Sequence, residues 1–84
     1  MASEVITTKA NLLKSKRVLK GLTQKKVAEM VGVSEKTYNH KETGKIECKI
    51  DEILIISSVL DLTMEDINEI FFNGNLPFVQ VKTG

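Results

Sequence analysis

Between residues 23 and 44 the chain reads TQKKVAEMVGVSEKTYNHKETG. Glu35, Lys36, Asn39 and His40 recur there about a helical turn apart, so one outward helix face can carry all four. Lys36 suits the acceptors of guanine, and Glu35 can accept from the amino group of cytosine. A neutral His40 both donates and accepts, and is less decisive. Thr23 and Gln24 stand where a second helix begins, and its free N–H groups and dipole favour a phosphate there. Lys25, Lys16, Thr43 and Lys45 are the next candidates for phosphate contact. Plainer alternatives stand beside each. Gln24 can be only a helix start, His40 only a solvated side chain, and Glu35, which repels phosphate, either reads cytosine or faces solvent.

Such a face works only if two short helices cross steeply beneath it. Thr23 is a good N-cap for a helix over about residues 24–31, with Val27, Ala28 and Val31 as its inward stripe. The small Ala28 allows the close crossing. Gly32 supplies the backbone freedom for the turn, and Val33 plugs its inner side. Ser34 caps the next helix, which runs to about Thr43 and stops at Gly44. Tyr38 then points inward, with the aliphatic stem of Lys41 beside it. This combination is a helix-turn-helix, whose second helix lies in the major groove of DNA.

The remaining elements support that pair. A first helix spans residues 9–20, holds Leu12, Leu13 and Val18, and ends at Gly21. A fourth spans residues 50–60. Ile53, Ile56 and Leu60 form its stripe, with Leu54, Ile55 and Val59 making it apolar nearly all round, so it is expected to be the central buried helix. Thr63 and Asp66 approximate a capping box for a fifth helix reaching about Phe72, with Met64, Ile67, Ile70 and Phe71 facing in. Residues 1–8 read as a loose arm. Residues 73–84 form a short tail, where Pro77 blocks further helix and 78–81 alternate like a strand.

Eighty-four residues make one domain, 42% hydrophobic and 27% charged. No apolar run approaches the roughly 20 residues of a membrane span. The lone Cys48 cannot form an internal disulfide and reads as an idle thiol, which makes the cytosol the natural compartment. One His without nearby Cys or a carboxylate pair has too few ligands for a metal. No cofactor is called for, and no catalytic constellation is present.

The net charge of +1 is small, but it divides unevenly, with +6 over residues 1–46 and −5 over residues 47–84. Seven basic residues and no acid lie between Lys9 and Lys26. One face is thus drawn to phosphate and another kept from it; an ordinary solvated lysine face is the alternative.

The segment LKSKRVLKGLTQ at residues 13–24, with the helix pair after it and ILIISSVLDLTMEDI at 53–67, resembles the lambdoid phage repressor and Cro (XRE-type) helix-turn-helix family. The likeness covers about residues 9–72. It implies an all-α, five-helix lambda-repressor-like domain with a short C-terminal extension, and a phage-type regulator of transcription. Position by position, it implies a phosphate-contacting Gln24, base-reading Glu35, Lys36 and His40, a polar Thr43 near phosphate, and an ion pair between Arg17 and Glu42. Lys41 departs from the large apolar residue usual at its place, and Lys49 from the usual Thr or Ser cap.

The expected function is sequence-specific binding of double-stranded DNA by a homodimer on a palindromic operator, near the nucleoid, without catalysis. Phe71, Phe72, Leu76, Pro77, Phe78, Val79 and Val81 supply the expected dimer interface by helix end and tail, unless the tail folds back on its own core. The rival expectation is a protein-interaction module on the same scaffold, an antirepressor or antitoxin, which the low net charge, Glu35 and the apolar tail favour.

Overall fold

A computed structural model describes residues 8–74. Five helices follow one another there: α1 (Ala10–Leu19), α2 (Gln24–Val31), α3 (Glu35–Glu42), α4 (Ile50–Val59) and α5 (Met64–Phe71). No strand occurs among the described residues. The expected strand at 78–81, with Leu76, Phe78, Val79 and Val81 of the expected dimer interface, lies outside them. None of these helices is long and apolar enough to cross a membrane.

Local chemistry accounts for the starts and stops. Thr23 Oγ1 accepts from Lys26 N at 3.0 Å, and Ser34 Oγ from Thr37 N at 3.1 Å. Each satisfies a donor that a helix start leaves open. Thr63 and Asp66 complete the expected capping box in both directions, each bond 3.0 Å long. Gly32 closes α2 at φ +92°, and its N–H reaches Ala28 O at 2.8 Å. A Cβ at Gly32 would touch nothing within 4 Å. It is therefore the left-handed backbone, not lack of room, that calls for glycine.

The core is built where α2 packs on α3 and α4, and α1 on α3 and α5. Leu13, Val27, Ala28, Tyr38, Ile53, Ile56, Leu60, Ile70 and Phe71 are buried in it. Val31, Val33, Val59, Ile67 and Phe72 are partly buried against it. Phe71 and Phe72 thus pack on their own core, while the tail beyond them is outside the described residues. At the other end Thr8 is buried, its hydroxyl 3.7 Å from the Cys48 sulfur, and Lys9 N donates to Ile70 O. The last residue of the expected loose arm is therefore packed.

Two further expectations fail. The fourth helix is not buried all round: Ile50 is 55% exposed, Leu54 61% and Ile55 38%. A domain this small has a single layer of neighbours for α4, which cover the side of Ile53, Ile56 and Leu60 and leave the other to solvent. Met64 was expected to face inward, but is 51% exposed. It is the first residue of α5, before the turn at which the helix meets the core.

Ala28, the small residue expected at the crossing of α2 over α3, is buried in the core. Replacing Ala28 by Leu should overpack it and cost about 1–3 kcal/mol in urea unfolding. A cost within about 0.5 kcal/mol would mean that the crossing has slack.

Candidate nucleic-acid interface

Helix α3 has the sequence EKTYNHKE, in which Tyr38 is the only large apolar side chain. Its buried residues are Tyr38, Lys41 and Glu42. The inner face of the candidate reading helix is thus one ring and two opposite charges, and each charge needs a partner to be buried.

Glu42 finds its partner on α1, as the family likeness implied. Arg17 Nε donates to Glu42 Oε1 at 2.8 Å and Nη2 to Oε2 at 3.1 Å, a two-pronged contact with both side chains nearly shielded from water. Arg17 Nη1 also donates to Leu22 O at 2.8 Å, just before α2. One guanidinium thereby ties α1, α3 and the connection that leads into α2. Its bonds to Glu42 hold the Arg17 pKa above its ordinary value. Burial pushes the Glu42 carboxyl upward, but hydrogen bonds led by Arg17 outweigh it and keep the carboxyl below its usual range. The Tyr38 hydroxyl has no partner within hydrogen-bonding geometry. Burial, with the Glu42 carboxylate nearby, pushes its pKa well up.

Lys41 finds its partner on α4. Its Nζ lies 2.8 Å from Glu52 Oε1, with both side chains largely buried, and donates to Glu47 O at 3.2 Å. Glu52 also accepts from Lys49 N at 2.9 Å at the start of α4, which serves where the family usually has a Thr or Ser cap. Burial raises the Glu52 carboxyl, and Lys41 and the Lys49 N–H bring it below its usual value. This pair was not foreseen from sequence. The signal was a lysine three residues after Tyr38, on the inward side, which must find an acid somewhere.

With the inner face tied down, the outer face is open. Glu35 and Lys36 are exposed, while Asn39 and His40 are half-buried at the surface. A groove beside them runs between α1 and α3, lined among others by Lys14, Thr23, Gln24, Glu35, Asn39 and Thr43. All four candidate base-reading residues thus reach the surface of one helix.

The phosphate candidates divide. Lys25 and Lys45 are exposed. Thr23 accepts in its own cap, and Thr43 Oγ1 donates to Asn39 O at 2.9 Å. Lys16 pairs with Asp66 at 3.2 Å, so its charge is partly neutralised toward α5. Gln24 is not a free arm either: Nε2 donates to Glu42 Oε2 and Oε1 accepts from Asn39 Nδ2, both at 3.2 Å. Cys48 is buried, and burial raises its thiol pKa, which suits an unreactive sulfur.

Comparison with known proteins agrees with this fold. A helix-turn-helix family model matches residues 13–67. Among solved structures, the restriction-modification controller protein C.AhdI from Aeromonas hydrophila is similar in fold. Its TM-score is 0.61 at 24% identity, over 69% of this chain and 84% of that one. No curated protein matches.

Replacing Glu42 by Ala would leave Arg17 buried without its partner and should cost about 3–5 kcal/mol in urea unfolding. A loss below about 1 kcal/mol would mean that water screens the pair. The pH dependence follows in sign. Glu42, Glu52 and Asp66 all lie below their ordinary values of 4.5, 4.5 and 3.8 in the folded chain. Folding therefore releases protons near those values, and the stabilisation is complete above about pH 5 and falls as pH drops further. Thermal melts from pH 7 to pH 3 should show this decline, shallower in Glu42→Gln; equal slopes for both proteins would contradict it.

Proposed function

This chain belongs to the XRE-type helix-turn-helix family, and on that premise we propose that it is a phage-type repressor that binds a palindromic operator in duplex DNA as a homodimer. The family is one of DNA-binding transcriptional regulators rather than enzymes. The observation that carries the proposal is the division of α3. Its inner face is locked by Tyr38 and two ion pairs, while Lys36 and its neighbours stand outside. A rigid helix with polar ends free is what insertion into a major groove requires.

On this reading Lys36, Glu35, Asn39 and His40 contact base edges, and Lys25, Lys45 and the start of α2 hold the phosphates on either side. Occupancy is the mechanism: bound over a promoter, the protein blocks polymerase. The cytoplasm is the compartment that fits. One helix in one groove touches few base pairs, so a second copy one helical turn away supplies the remaining specificity. The tail, with Leu76, Phe78, Val79 and Val81, is the proposed contact between copies, together with Phe72 at the end of α5.

The rival, a module that docks on another protein, draws support from the exposed Ile50, Leu54 and Ile55 of α4. Salt separates the two. DNA affinity should fall steeply between 50 and 200 mM salt as counterions are released, whereas an apolar contact should hold.

Lys36→Ala should cost about 1–3 kcal/mol on the selected site and relax one base position. Lys25→Ala should weaken all duplexes alike and reduce the salt slope by about 1. If both act uniformly, α3 is not reading bases. In sedimentation equilibrium the full chain should dimerise and a chain ending at Asn73 should not; equal self-association of the two would remove the tail from the interface.

A further inference from the structure

The hydrogen bonds that lead from the buried ion pair to the surface of α3 have a direction. Arg17 can only donate, and an ionised Glu42 can only accept. Gln24 meets Glu42 Oε2, so it must turn its NH2 group inward. Its Oε1 is then the atom left for Asn39, and that oxygen admits only a donor. Asn39 must therefore offer Nδ2, as it does at 3.2 Å. Because the amide is planar, Oδ1 lies on the opposite branch, turned away from Gln24. No described residue hydrogen-bonds it. A surface asparagine can ordinarily flip, since its two orientations have the same shape and exchange donor for acceptor. Here the charge on Glu42, passed through one glutamine, removes that freedom.

We propose that Gln24 is a positioning residue for base readout: it transmits the polarity of the Glu42 carboxylate to Asn39, which presents Oδ1 as an acceptor to the duplex. Asn39 then selects a base with an amino group in the major groove, adenine or cytosine, over guanine or thymine, which show only acceptors there. The inference rests on the reading of α3 as the base-contacting helix. It assigns Gln24 a role other than a simple phosphate contact. Asn39 is the residue that touches the base, and Gln24 acts through it.

The test uses the full chain. Sites are selected from random duplexes, and affinities for every single-base change in the selected site are measured for the wild type, Gln24→Met, Asn39→Ala, the double variant and Asn39→Asp. The wild type should prefer adenine or cytosine by about tenfold at one position of each half-site. Gln24→Met should reduce that preference below about twofold and leave the others intact. Asn39→Ala should do the same, and the double variant no more. Asn39→Asp keeps only acceptors and should retain the preference while binding all duplexes more weakly.

A Gln24→Met protein that loses affinity for all duplexes by one factor, with every preference intact, overturns the proposal. So does a wild-type preference for guanine or thymine at the position that Asn39→Ala relaxes. Should circular dichroism show Gln24→Met unfolded, Asn39→Asp decides: retained preference supports the acceptor, and lost preference refutes it. A selection that yields no preferred sequence is a different failure, because base reading by α3 then falls as a whole and this proposal with it.

Discussion

The buried pair between Arg17 and Glu42 is the constraint on which the rest of the structure turns. A helix whose eight residues include one large apolar side chain has little hydrophobic reason to stay on a core. Fully burying a side chain of that kind stabilises by roughly 1.5–3 kcal/mol, which does not fix the orientation of a helix two turns long. Two ion pairs add what is missing. Glu42 is tied to α1 and Lys41 to α4, so α3 is held from both sides of its inner face. Charges fix direction as well as distance, because a guanidinium and a carboxylate meet well in few geometries. The orientation of the outer face follows from these attachments.

Such an anchor has consequences that an apolar one lacks. Removing one member leaves the other stranded, so each pair must be kept or lost as a unit. Both carboxylates depend on staying ionised, so acid weakens the attachments of α3 to α1 and to α4. The Tyr38 hydroxyl, buried without a partner, lies at the same junction. The small net charge of +1 also looks different once the pairs are known. Arg17 and Lys41 are spent on internal carboxylates and Lys16 is shared with Asp66, while Lys25, Lys36 and Lys45 remain exposed.

Much of this was legible in the sequence because it is local. Caps act over three residues, so Thr23, Ser34 and the Thr63–Asp66 box could be read directly, as could the glycine turn at 32 and the small Ala28. Tyr38 could be placed inward from the spacing of the helix. The tie between Arg17 and Glu42 came only from the family likeness, since nothing in the spacing of residues 17 and 42 demands it. Lys41 with Glu52 and Gln24 with Asn39 were not legible, because each joins two helices whose mutual rotation is a property of the packed core. The apolar composition of α4 misled for a related reason. Composition tells that a face can be buried, but only the number of neighbours decides how much of it is. Phe71 could be placed inward from the spacing of α5, and it is buried.

The central claim is that the locked inner face of α3 exists to present its outer face to a duplex. Titration of the isotopically labelled full chain with an operator-selected duplex, followed by backbone and side-chain amide chemical shifts, tests it most directly. The largest changes are expected at Lys36, Asn39 and His40 and at the start of α2 around Gln24, with the core around Ile56 and Ile70 unmoved. Changes centred instead on Ile50, Leu54 and Ile55 of α4, with α3 silent, would contradict it.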